Sequence, residues 1–549
     1  MHTVAMHSQI PVPWWRRGAF YQVYIRSFAD GNGDGTGDIA GIRSRLPKLA
    51  SLSVDAIWIN PWYPSPLNDG GYDVTDYVDI NPLYGNLDEA KALIAEATDH
   101  GIKVMVDLVP NHTSSAHRWF GEALAASPGS PERDRYVFRD GTGPDGGLPP
   151  NNWRSVFGGS TWTRVPDGQR YLHLFDPSQP DLNWENPTVR DAFHDILRFW
   201  LDLGACGFRV DVAHGLAKDQ TFPDIDHDAD DADETDQDRV LARGAHPHWD
   251  RDDVHDIIRG WRTVLDEYPD TVMVAEAWVA NWDRLARYLR ADEFHQVFDF
   301  DFLEADWDAS QMRHAIVTSL DGAASVGAVP TWVLSNHDVV RHATRYALPP
   351  GTRSKTWLLD GDRNDIDDAL GLRRARAAAL LMLALPGSIY LYQGEELGLP
   401  EVYDLPVEVL DDPVWTRSGH TEKGRDGCWV PIPWTDDAPS AGFGSVEPWL
   451  PQPPGWSAFA TASNTDPSST LDLYRRALEL RRIHMTKDED LEWLDLGADV
   501  VAFHRGSGVA CVVNMSTSEV PLPAGEVLVA SGPITDGKLA TDCSAWILV

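Results

Sequence analysis

Eight short segments rich in β-branched and aromatic residues recur along the chain, at 21–27, 56–60, 104–109, 208–212, 272–277, 296–300, 332–335 and 389–393. Amphipathic stretches with helical periodicity lie between several of them, 87–100 and 187–203 among them. Apolar strands alternating with helices mark parallel βαβ units, because a parallel neighbour is reached only by a crossover that lays a helix on the sheet. Eight such units in series predict an α/β fold, a (β/α)8 TIM barrel. Such barrels gather their functional side chains at the C-terminal ends of the strands.

Two regions break the rhythm. Residues 112–182 are rich in Gly, Pro, Trp and Arg and too long for a βα loop, so they are expected to form an inserted domain B between barrel segments 1–111 and 183–485. Residues 469–484 read as the last barrel helix, and 486–549 as a C-terminal antiparallel β-sandwich domain. The stretch 403–467, dense in Pro and Trp, is expected to hang over the barrel mouth, where some of its Trp could contact ligand.

Composition removes other classes. With 46 Lys and Arg against 84 Asp and Glu in 549 residues, the formal charge is −38, the wrong sign for nucleic acid or an anionic membrane. The first residues lack the apolar core of a signal peptide, and the apolar run 377–385 is about half a bilayer span. A cytoplasmic protein is expected, a monomer or small homo-oligomer. Four scattered cysteines suit a reducing compartment, and Cys511 and Cys543 would pair only if the fold joined them. The nine acidic residues within 224–238 read as a solvated loop.

Four polar clusters sit where barrel strands should end: Asp-Leu-Val-Pro-Asn-His at 107–112, Gly-Phe-Arg-Val-Asp-Val at 207–212, Glu276 within Val-Ala-Glu-Ala-Trp, and Ser-Asn-His-Asp at 335–338. Strand side chains alternate, so Arg209 and Asp211 share a face, and the guanidinium should keep that carboxylate ionised and oriented for attack at carbon.

In this order the four segments resemble the conserved regions of the α-amylase superfamily of glycoside hydrolases, over nearly the whole chain. Gln-Pro-Asp-Leu-Asn at 179–183 is similar to a motif of its α-glucosidase and oligo-1,6-glucosidase branch. The resemblance implies Asp211 as nucleophile, Glu276 as acid/base, and Asp338 as the carboxylate gripping two sugar hydroxyls, with His112, His337 and Arg209 lining the same subsite. A retaining glycosidase needs one ionised and one protonated carboxyl about 5–5.5 Å apart, so the pKa of Glu276 should be raised.

Asp73 and Arg425 resemble the pair that closes the innermost pocket of α-glucosidases, with Tyr72 as a stacking platform, which implies exo action on a terminal glucose. The loop after the first strand resembles a structural cation site of the same relatives. Asp30, Asn32, Asp34 and Asp38, with the Thr36 carbonyl, repeat the oxygen spacing of a calcium loop, although Gly41 stands where an EF-hand has Glu. Ca2+ is expected there, with Mg2+ as the alternative.

The resemblance therefore implies a retaining α-glucosidase acting on short oligosaccharides or α-glucosides. Val212 after the nucleophile leans towards 1,6 linkages, yet Ala213-His214-Gly215 departs from the isomaltase continuation, and maltose-like substrates are expected. The rival is a transglycosylase or isomerase using the same intermediate, decided by loops such as 215–250 and 348–368. A non-catalytic binding subunit, which in such relatives lacks the carboxylates and carries a membrane segment, comes last.

Overall fold

The computed structural model describes residues 12–225, 246–437, 439–460, 466, 468–485, 491–506 and 508–549. Most of the acidic run, and with it much of the loop 215–250, lies outside the described residues.

Eight parallel strands form the barrel: β1 (Ala19–Val23), β2 (Ala56–Ile59), β3 (Lys103–Leu108), β4 (Gly207–Val210), β5 (Val272–Ala275), β6 (Gln296–Val297), β7 (Thr331–Val333) and β8 (Ser388–Tyr392). They pair in chain order, β8 pairs with β1, and a parallel bridge between Phe298 and Thr331 joins β6 to β7. All eight expected segments are strands. The first is shifted: residues 25–27 leave the sheet as a 3-10 turn, because the chain must bend into its first loop.

Inward side chains fill the barrel, among them Phe20, Trp58, Met105, Val274, Phe298 and Tyr390, with Phe20 stacked on Tyr390 at 4.4 Å. Outward ones such as Tyr21, Ile57 and Val104 pack under the helical layer. The helices begin where the sequence offers caps: Asp38 for Ile39–Leu52, Asn86 for Leu87–Asp99, and Asn186 for Pro187–Leu203. Each such cap is worth about 1 kcal/mol. Gly207 opens β4 at φ 147°, and a Cβ there would lie 1.7 Å from the Val272 carbonyl oxygen, so only glycine lets β4 and β5 close up.

The insertion holds a three-stranded antiparallel sheet, Phe138–Asp140, Gln169–Leu172 and Trp162–Arg164, over a core of Trp153, Trp162, Leu172 and Phe222. The Leu182 amide, bonded to the Asn111 carbonyl at 3.0 Å, ties it to the segment after β3, and bridges His112 to Asp181 and Tyr136 to Leu182 close it on itself. Thr470–His484, capped by Ser469, packs against the helix Asp368–Ala384, and after it come antiparallel sheets of five and three strands. Cys511 and Cys543 do not pair: both are free and buried, Cys511 opposite Trp546 and Cys543 opposite Asn514. Among the described residues no helix is long and apolar enough to cross a membrane.

Candidate active site

Asp107 and Arg209 are register partners on β3 and β4, which places their side chains on the same inner face. Asp211 follows one residue past β4 and Glu276 one residue past β5. Arg209 Nη1 lies 2.6 Å from Asp211 Oδ1 and 3.1 Å from Asp107 Oδ1, while Nη2 lies 2.9 Å from Glu276 Oε2. One buried guanidinium therefore orients three carboxylates. Asp107 also accepts hydrogen bonds from Trp58 Nε1 at 3.0 Å and the Tyr72 hydroxyl at 3.1 Å.

The expectation that Arg209 alone keeps Asp211 ionised is corrected. Burial, together with the charges of Glu276 and Asp107, pushes the Asp211 carboxyl well above the usual range, and Arg209 offsets this only in part. Burial likewise raises Asp107 to about 6. Three carboxylates around one cation leave excess negative charge in a dry site, and binding a proton relieves it.

Glu276 is held from two sides. The Val212 amide donates to Oε2 at 3.1 Å and the Trp278 indole to Oε1 at 3.1 Å. Val212 adopts φ 45°, a conformation costly for a β-branched residue, of the kind that clusters at functional sites.

The two histidines are neutral. Burial lowers both His112 and His337 to about 4. Gln22 Nε2 donates to His337 Nδ1 at 2.9 Å, so the ring carries its proton on Nε2, which faces the Tyr72 hydroxyl at 2.6 Å and Asp338 Oδ2 at 3.3 Å. Asn111 Nδ2 donates to His112 Nδ1 at 3.2 Å, so His112 carries its proton on Nε2 and donates it to the Tyr72 carbonyl at 3.2 Å; beside it the Gln179 amide donates to Asp69 Oδ2 at 2.9 Å. Tyr72 stacks on His337 with ring centroids 5.3 Å apart.

The opposite end of the site is organised by Arg425, but not with Asp73. Asp73 is fully buried and accepts from Ser65 Oγ at 2.7 Å and the Asn68 amide at 3.2 Å, so it folds its own loop. Asp69, four residues earlier, takes the expected place at 2.6 Å from Arg425 Nη2. The sharp turn at Gly70 and Gly71, both at positive φ, exchanges the two acids in a way spacing alone does not reveal. Arg425 Nη1 reaches Asp338 Oδ1 at 3.1 Å. Burial works against the charge of Asp338, yet His337, Arg425 and Arg209 hold its carboxyl below the usual range.

The site opens on one cavity of about 330 Å³, whose lining does not include Arg209, Asp107 or Asp73. Asp69, Tyr72, His112, Asp338 and Arg425 stand on its walls with Asp211 and Glu276, and Val212, Trp249, Trp278 and Phe300 also face it. Trp278 stacks on Phe300 at 3.9 Å. Among the described residues of 403–467 the pocket is lined up to Cys428; Trp434 and Trp449 instead bond Phe28 and Ser27 beside the first loop. The tryptophans of the lining are thus Trp249 and Trp278, outside that stretch, beside Tyr72, Phe157, Phe175 and Phe300.

In the loop after β1, Asp30 accepts the amides of Gly33 and Gly35, Asn32 that of Asp34, Asp34 that of Thr36, and Asp38 those of Gly31, Asn32 and Gly41. Among the described residues no group of three or more His, Cys, Asp or Glu side chains converges to hold a metal. The donor set is all oxygen, which suits a hard cation, although Asp38 Oδ1 already accepts two amides, those of Gly31 and Gly41.

A parallel barrel with paired carboxyls at its strand ends beside a closed pocket defines a glycoside hydrolase. The family described as alpha amylase, catalytic domain, matches residues 22–489, and the chain belongs to it. A probable alpha-glucosidase of Rhizobium meliloti (strain 1021) is 37% identical, covering 95% of this chain and 94% of its own length. The oligo-1,6-glucosidase of Parageobacillus thermoglucosidasius is 34% identical over 86% and 84%. The crystal structure of the trehalulose synthase MutB from Pseudomonas mesoacidophila MX-45 superposes with a TM-score of 0.84, at 30% identity, covering 98% and 100% of the two chains.

Proposed function

We propose that this chain is a retaining, exo-acting α-glucosidase that releases the terminal non-reducing glucose of short oligosaccharides or α-glucosides, maltose-like ones first. The observation that carries the reading is the pairing of Asp211 and Glu276 on one guanidinium in a pocket whose other end is closed by Asp69, Arg425 and Asp338. Glu276 gives its proton to the glycosidic oxygen as an Asp211 oxygen attacks the anomeric carbon, forming a glycosyl ester. Glu276 then takes a proton from water, which attacks the same carbon and frees Asp211. Asp338 and the Nε2–H of His337 bind sugar hydroxyls, and Asp69 with Arg425 blocks extension beyond a single glucose. The neutral imidazoles donate without adding charge beside the oxocarbenium-like transition state.

A second reading, glucosyl transfer or isomerisation, is supported by the likeness to a trehalulose synthase. The two differ in whether water or a held sugar attacks the ester. Time-resolved NMR with maltose, isomaltose, sucrose and trehalose separates them: α-glucose as first product supports hydrolysis with retention, new glucosidic signals support transfer, and β-glucose refutes both. The loop 30–38 is proposed to take Ca2+, on its oxygen spacing.

A further inference from the structure

Arg425 is gripped from behind. Its Nε donates to Asp412 Oδ2 at 2.6 Å, its Nη2 to Oδ1 at 3.1 Å, and its backbone amide to Oδ2 at 2.8 Å. This bidentate geometry fixes the plane of a guanidinium as well as its position. What remains free points forward, Nη1 to Asp338 and Nη2 to Asp69. The Asp412 side chain is wholly buried, and its amide is anchored by the Asp426 carboxylate at 3.3 Å. Gly424 turns the chain around it at φ 82°, where a Cβ would lie 2.8 Å from the Asp412 Cβ.

We propose that Asp412 is the positioning residue that sets the closed end of the glucose pocket, holding Arg425 so that Asp69 and Asp338 meet a terminal sugar in fixed register. The inference deepens the α-glucosidase reading and rests on it. A purely structural role is the competing explanation, since Asp412 also caps the short helix Pro413–Arg417 through the Val414 amide at 3.0 Å. That cap uses Oδ1 alone, whereas the grip on Arg425 engages both oxygens.

The two roles separate by substitution. Asp412→Asn keeps the cap oxygen and the volume but sets an amide against the guanidinium; Asp412→Ser keeps a capping oxygen too short to reach it. Both should raise KM about 10- to 100-fold with kcat changed far less, and weaken glucose binding, read by calorimetry, by a similar factor. Thermal unfolding should move little in at least one of the two. Arg425→Lys should impose a comparable loss, and the double variant Asp412→Asn/Arg425→Lys no more than either alone, because the pair acts as a unit. KM and glucose affinity within twofold of wild type in a folded variant, losses that multiply in the double variant, or losses only in proportion to unfolded protein would each overturn the assignment. Wild-type protein inert on every α-glucoside would instead overturn the proposed function, and the glucose-binding comparison would still read Asp412.

Discussion

Replacing Lys218 by Met isolates a buried charge that joins the insertion to the barrel. The Lys218 ammonium lies 2.8 Å from Asp181 Oδ2 and 2.8 Å from Asn111 Oδ1, with the lysine side chain 2% and the Asp181 side chain 0% exposed. Asp181 otherwise accepts only neutral donors, Asn111 Nδ2 at 3.1 Å and the Leu174 amide at 2.8 Å. Methionine fills the space of the lysine stem, so the change removes charge with little change in volume. Breaking a buried pair from one side costs about 3–5 kcal/mol, because the surviving charge keeps its desolvation penalty. The two remaining donors to Asp181 place the expected loss near the lower end, about 3 kcal/mol, roughly a hundredfold in the opening equilibrium. Denaturant titration followed by tryptophan fluorescence measures it, and limited proteolysis of residues 112–182 reports whether opening is local. The variant Lys218→Met/Asp181→Leu should recover most of the loss. Because Asn111 adjoins His112 at 3.2 Å, Lys218→Met should also raise KM. A loss below about 1 kcal/mol, or a double variant worse than the single, refutes the reasoning.

The other expectations are shorter. Asp211→Asn should abolish turnover by orders of magnitude on every substrate, whereas Glu276→Gln should lose about 10²–10⁴-fold on maltose and much less on an aryl glucoside whose leaving group needs no proton; equal losses on both would contradict these roles. Burial raises the Glu395 carboxyl from 4.5 to about 8, so its contribution to stability is present below pH 4.5 and lost as pH rises towards 8. Glu395→Gln should therefore gain on wild type across that window in denaturant midpoints, and parallel profiles would dismiss the effect. Chelation should lower the melting temperature and Ca2+ restore it, with Asp34→Ala insensitive to both; a chelator-indifferent wild type would leave the loop without a cation.

Most of the barrel was legible because its signal is local and periodic: each strand is a short apolar run, and several helices carry their own caps. The proposed catalytic pair could be placed for a related reason, since Asp211 and Glu276 stand one residue beyond a strand, where register fixes direction. What escaped is what turns decide. Asp69 and Asp73 differ in sequence only by spacing, and the chain reversal at Gly70 and Gly71 sends one to Arg425 and the other into its own loop. Asp107 stood in a quoted motif without a role; an acid at an inward register on a barrel strand was the available signal. Asp412 and Trp58 meet their partners across long sequence separations, which no local pattern encodes.

The pocket is built around two guanidinium groups with different tasks. Arg209 gathers Asp107 with Asp211 and Glu276, the pair proposed to break and form bonds. Arg425 gathers Asp69, Asp338 and Asp412, the groups proposed to define which sugar fits. Each cation faces three carboxylates, so neither cluster is neutral when fully ionised. For the first, that excess favours keeping a proton among the carboxyls, and a general acid needs one near neutral pH. For the second, Asp338 keeps its charge near neutral pH because the Arg425 and Arg209 guanidinium groups support it, and an ionised acceptor is what gripping hydroxyls requires. Reactivity and recognition thus draw on the same ion-pair chemistry. They differ in how much positive charge surrounds each carboxylate, and a substitution that shifts that balance should exchange one property for the other.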